Sequence, residues 1–295
     1  KIGGNVAGAN TAGAFKTVTL KGATAVHLGG TITTAMDTAG NNIDIDGPVI
    51  LTADTTLDTT VNTGTIDFSS TINSDTGLTK NLTLKAKGGA ITIHGIIGGT
   101  DNIGNLNINK DYDDGIGKIT LNGVGASNKI GITGTVDVGH TGTASMDLAG
   151  SYYNIDGNTI FMTTGSAEVI DIKATQTIKT ASGHSLEFSG GGVALDNGAD
   201  LTIDGGGTVT MTAITANSAE NVDISGTTVT TAAIGDGNEI HTVKLTGSTA
   251  VKLGGDIVTS TATGNFVDIN GAAVLTETGI DIDTSAHDGT IHFDS

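Results

Sequence analysis

The chain has 295 residues, a formal net charge of −18 and no arginine, cysteine or tryptophan. Thirteen lysines face 31 acidic residues, a balance that argues against nucleic acid or an anionic membrane surface as partner, because both demand cationic neutralisation. No cysteine means no disulfide framework, no apolar run reaches the length of a membrane span, and the opening KIGGNVAG has no signal-peptide pattern, so the chain reads as a mature piece or part of something longer.

Hydrophobic residues make up 37% of the sequence and aromatics 3%, so the interior must be filled by small branched side chains. No run shows i, i+3, i+4, i+7 spacing. Apolar and polar residues alternate instead, the mark of strands with one buried face. In chain order the alternation predicts strands at Val18/Leu20, Val26/Leu28, Ile43/Ile45, Val49/Leu51, Ile66/Phe68, Leu82/Leu84, Ile91/Ile93 and Leu106/Ile108. It continues at Ile119/Leu121, Ile130/Ile132, Val136/Val138, Leu186/Phe188, Leu201/Ile203, Val209/Met211 and Val222/Ile224. Turns of the GG, NG, DG, DN and SG kind separate them.

Longer phrases recur as well. TVTLKGATAVHLGG at 17–30 returns as TVKLTGSTAVKLGG at 242–255, and GTIDF at 64–68 returns as GTIHF at 289–293, both at an offset of 225. At an offset of 110, Asp44-Ile45-Asp46-Gly47 returns as Asn154-Ile155-Asp156-Gly157. These echoes suggest one continuous unit over 1–295 with super-repeats near 31–133, 134–255 and a partial 256–295.

Repetition at intervals points to a solenoid, propeller or array. A propeller blade calls for aromatic signatures that are missing here, and tandem β-sandwich domains, the alternative, call for bulkier cores and steadier repeat lengths. A β-solenoid accommodates short strands and drifting turn lengths. The expected fold is therefore all-β, a right-handed parallel β-helix of roughly 12–14 coils at ~20–25 residues each, about 60 Å long. Threonine, serine and asparagine should then stack from coil to coil as hydroxyl and amide ladders.

The phrases LTADTTLDTTVNTGTIDFSSTIN and LTLKAKGGAITIHGIIGGTDNIGNLNI, within residues 47–108, resemble repeats of giant bacterial surface exoproteins of the filamentous-haemagglutinin and adhesin type. That resemblance implies a right-handed parallel β-helix on the bacterial cell surface or outside the cell, acting as a stalk or fibre. The NPNG-like turn that opens many such secretion domains is absent from this sequence.

Candidate chemistry is sparse. Asp111, Asp113 and Asp114, ahead of Gly115, form the densest acidic loop and are a speculative calcium site, calcium being the only cofactor the sequence suggests. Glycine arrives one place late for an EF-hand, so a solvated turn is the competing reading. Asn42-Ile43-Asp44-Ile45-Asp46-Gly47 and Asp281-Ile282-Asp283 read as strands with outward acids. Histidines His27 and His292 align with Lys252 and Asp67 in the repeats, which marks them as surface positions. Irregular spacing of the Thr-x-Thr phrases argues against an ice-ordering face. Without arginine, aromatic platforms or a long loop, glycan cleavage is not expected, and the chain reads as no enzyme. The expectation is a structural segment of an extracellular filament, stalk or adhesin that associates head to tail with itself or with further repeats. A glycan or protein receptor is a possible partner, and a glycan-binding or glycan-cleaving β-helix is the alternative.

Overall fold

The computed structural model describes residues 2–3, 6–7, 15–34, 40–61, 63–110, 117–139, 143–164, 168–235, 240–259 and 263–294. The chain is an all-β parallel solenoid of about ten to eleven turns. Among the described residues helix is confined to one turn of 3-10 helix, Ser285–His287. All named strand pairings are parallel, which excludes tandem sandwiches of antiparallel sheets.

Each coil has three faces. The first carries the strands Val18–Lys21, Ile43–Asp46, Ile66–Phe68, Ile91–Ile93, Ile119–Leu121, Met146–Leu148, Ile170–Ile172, Val193–Leu195 and Ile214–Ala216, stacked in that order. Single bridges through Ile234 carry the face on to Ile257–Val258 and Ile282–Asp283. The second and third faces belong to one continuous sheet, because strands such as Val49–Asp58 and Ile240–Leu253 run around the corner between them. Register shifts next to Gly30 and between Gly226 and Thr228 mark that corner, where a bulge bends the strand.

The interior follows from alternation. On the first face, Val18, Ile43, Ile66, Ile91, Ile119, Met146, Ile170, Val193, Ile214, Ile234, Ile257 and Ile282 form one column, each paired with the next. Successive members lie 20 to 28 residues apart, so these eleven steps span roughly 50 Å at a strand spacing of ~4.8 Å. A second column runs Val26, Val49, Ile72, Ile97, Val124, Tyr153, Ile178, Ile203, Ile224, Leu245, Ile269 and Phe293. Most of these side chains are fully buried, and each contributes about 1.5–3 kcal/mol through removal from water.

Aromatics cluster at one level. Tyr153 meets Phe161 edge-on at 6.3 Å, and Phe161 lies 5.3 Å from Phe188 in the coil above. The Tyr153 hydroxyl donates to the Leu121 carbonyl at 2.8 Å and accepts from the Gly150 N–H at 3.2 Å, and burial pushes its ionisation far above the ordinary range.

The expected polar ladders are present at the corners. The Asp54 carboxylate accepts from the Asn81 N–H, the Asn81 carboxamide oxygen from the Asn105 N–H, and the Asn105 oxygen from the Thr135 N–H, at 2.9, 2.7 and 2.8 Å. Each side chain thus satisfies a backbone donor one coil further on, which locks the stacking register. Asp200 repeats the device with the Asn221 N–H, and the Asn221 oxygen in turn accepts from the Thr242 hydroxyl.

Alternation misreads one pair. Ile132 is buried, but Ile130 is 37% exposed and lies in no strand, because residues 126–129 form a small turn that displaces it. Conversely, the inward strands Ile170–Ile172 and Val193–Leu195 and the buried Ile72 and Leu57 were not singled out from the sequence.

Candidate functional site

Asp111, Asp113 and Asp114, the calcium loop suggested by the sequence, lie outside the described residues. Among the described residues, no three His, Asp or Glu side chains converge as metal ligands would. The strand Ile43–Asp46 buries its two isoleucines and turns Asp44 and Asp46 outward, as the alternation predicts. Lys21 bonds Asp46 at 3.1 Å and holds its carboxyl below the usual value.

Outward acids on the first face sit in register on neighbouring strands, Asp44 beside Asp67 and Asp147 beside Asp171. Lys173 offsets the second pair, reaching Asp171 at 3.2 Å, Asp196 at 3.3 Å and Asp147 at 3.9 Å. Burial pulls the Lys173 pKa down, but hydrogen bonds and charge from Asp171, Asp147 and Asp196 outweigh it and hold the ammonium above its ordinary value. On the second face Asp223, Lys244, Asp268 and His292 alternate in sign up the rod. His292 and Asp268 approach to 2.9 Å, and that contact raises the imidazole pKa. These are solvated ion pairs that moderate the repulsion of stacked carboxylates.

Two surfaces depart from this regular pattern. One is the last described coil. Leu275, Ile291 and Phe293 continue the inward columns of Leu253, Val267 and Ile269, yet they are exposed because no described strand lies beyond them.

The other surface lies on the second face at mid-rod. Between Ile72 and Tyr153 this face shrinks to single-residue bridges at Ile97 and Val124, while the first-face steps from Ile91 to Ile119 and from Ile119 to Met146 lengthen to 28 and 27 residues. Within the second of these steps, residues 126–129 form an exposed turn. Ala126 and Lys129 exchange N–H···O bonds of 2.9 and 3.1 Å, closing the one antiparallel turn among the described residues. The Asn154 amide donates to the Ala126 carbonyl at 3.0 Å, and the Lys129 ammonium donates to the Thr100 carbonyl, pinning the turn to coils on either side.

Beside that turn stands Tyr152, 41% exposed. Pleating sends Tyr153 into the core and Tyr152 outward from the same strand, Tyr152–Ile155. Tyr152 divides two clefts. One of about 380 Å³ has Ile96, Asn122, Gly150 and Ser151 in its walls. The other, about 240 Å³, is bounded by Ser127, Asn154, Thr177, Lys179 and Asp204. Lys179 and Asp204 pair at 2.6 Å, so the second cleft carries no net charge from them. A partly exposed aromatic ridge, flanked by amides, hydroxyls and an internally neutralised ion pair, suits an uncharged ligand with both apolar faces and hydroxyl groups. The one signal in the sequence was the adjacent pair Tyr152-Tyr153 in a chain holding only three tyrosines.

Comparison of the chain with protein-family models, with curated proteins and with solved structures found no match. Fold and surface therefore define its class: a parallel β-solenoid repeat protein.

Proposed function

We propose that the chain is a structural β-solenoid of the bacterial cell surface or extracellular space, part of a filament, stalk or adhesin. It continues end to end, through further repeats of the same polypeptide or through identical chains. The observation that carries this reading is the last described coil, where Leu275 (61% exposed), Phe293 (54%) and Ile291 (44%) face outward along the rod axis, although their partners one coil below, Leu253, Ile269 and Val267, are fully buried. Such a face, together with the free edge of the strand Thr290–Asp294, is completed by one more coil in parallel register. The sequence resemblance to giant surface exoproteins supports the same reading. It assigns no reaction to the chain.

Electron microscopy of the purified chain, alone and as the Leu275→Asp/Phe293→Asp variant, tests the assembly. Long thin particles that shorten to single rods in the variant are expected for chains that stack. Antibody labelling of intact cells of the source organism tests the location. Stubby particles of the full natural polypeptide, or labelling only after the cells are opened, would overturn the reading.

A further inference from the structure

We propose that Tyr152 and its two flanking clefts bind a neutral oligosaccharide, with pyranose rings on either side of the phenol. Four observations converge. Tyr152 is the one large aromatic exposed on the body of the rod among the described residues; Phe15 and Phe293, the other exposed aromatics, lie in the first and last described coils. It is fixed, because its strand is anchored by the buried Tyr153 and pairs with Gln176–Thr180. Among the described residues the turn at 126–129, pinned to the coils on either side, forms a wall beside the phenol. Finally, the polar groups around the ring match sugar hydroxyls: Ser151 and Ser127 are exposed, and Asn122, also exposed, is held in place by its amide N–H bond to the His94 carbonyl at 2.6 Å.

The chemistry selects the ligand class. The axial C–H edges of a pyranose carry slight positive charge and complement the electron-rich face of a phenol, while equatorial hydroxyls reach the amides and hydroxyls at the rim. A planar aromatic ligand would stack on Tyr152 but leave those polar groups unmatched. A polyanionic glycan is disfavoured because Lys179 is already engaged by Asp204 and the chain bears a net charge of −18. Two clefts on opposite sides of one ring suit at least two consecutive sugar residues. This inference stands apart from end-to-end assembly, since Tyr152 lies midway along the rod and no second chain is needed.

Isothermal titration calorimetry and saturation-transfer NMR with cellohexaose, xylohexaose and maltohexaose, and with oligogalacturonate as the anionic probe, test the proposal. Saturable binding of at least one neutral hexaose is expected, weakened at least tenfold in Tyr152→Ala and kept within threefold in Tyr152→Phe. Tyr152 is exposed, so both variants should melt like the parent chain, and Asn122→Ala at the rim should weaken binding severalfold. Failure of all three neutral hexaoses to bind, equal binding by Tyr152→Ala, or tighter binding of oligogalacturonate would each overturn it.

Discussion

Val18 and Val243 open two copies of one phrase, yet Val18 stands on the first face of the solenoid and Val243 on the second. From Val18, nine steps up the first-face column reach Ile234, and Val243 lies one face further along the chain. The 225-residue repeat therefore amounts to nine turns and a third. The 110-residue echo behaves alike, placing Ile45 on the first face and Ile155 on the second. Faces are interchangeable because each asks the same of its strand: two inward aliphatics, outward polar neighbours and a small residue at the corner.

That equivalence predicts tolerance. Rewriting the first copy toward the second, Thr19→Lys with Lys21→Thr, changes only outward positions and removes the exposed Lys21–Asp46 pair. The midpoint of chemical denaturation should stay where it is in the parent chain. Val243→Asp, at a fully buried position, should by contrast abolish cooperative folding of the upper coils.

Phe188 is the top of the aromatic stack and is buried against Phe161. Phe188→Ala should cost about 3–5 kcal/mol, since neighbouring coils cannot close the gap without breaking register. Because each coil touches only its neighbours, hydrogen exchange should rise first in the strands around 159–162 and 208–211.

Gly47 and Gly77 both have positive φ, +122° and +75°, but different surroundings. A Cβ at Gly47 would lie 2.0 Å from the Gly22 carbonyl oxygen of the coil below, whereas one at Gly77 meets nothing within 4 Å. Gly47→Ala should lower stability by at least ~2 kcal/mol, through strain and a lost coil contact. Gly77→Asn should be nearly neutral, because asparagine tolerates the left-handed region. Thermal melts of the two variants give the comparison directly.

Lys173 holds three carboxylates together, so Lys173→Ala should destabilise by about 1 kcal/mol, between an exposed and a buried pair. Its folded pKa is raised, so the contribution is fully present below the unfolded value of about 10.4 and is lost as pH rises through the folded value. Urea denaturation at neutral pH and above pH 11 should show the parent chain and Lys173→Ala converging.

His292 titrates on the surface, with Asp268 raising its pKa. Any stability it adds is present below the unfolded value of about 6.5 and disappears as pH climbs through the folded one. An NMR titration should find the His292 imidazole midpoint above that of an exposed reference histidine, and Asp268→Asn should bring it down. An unchanged midpoint would contradict the ion pair.

Period-two alternation determined most of the strands and their inward residues, because local pleating decides which side chains share a face, and the recurring phrases pointed to a solenoid stack; Ile130, displaced by the turn at 126–129, was the exception. Ile43, Ile45, Leu82 and Leu84 are buried where alternation puts them. The asparagine ladder through Asn81 and Asn105 followed from the same logic. Only the tertiary structure decided which coil lies over which. Coil length varies from 20 to 28 residues, so equal phrases fall on unequal faces, and residues paired in space need not be paired in the repeat. The Tyr152 ridge was hidden for that reason. Its clefts are formed by residues of several coils, from Ile96 through Asn122 and Tyr152 to Asp204, brought together by stacking and not by any spacing along the chain.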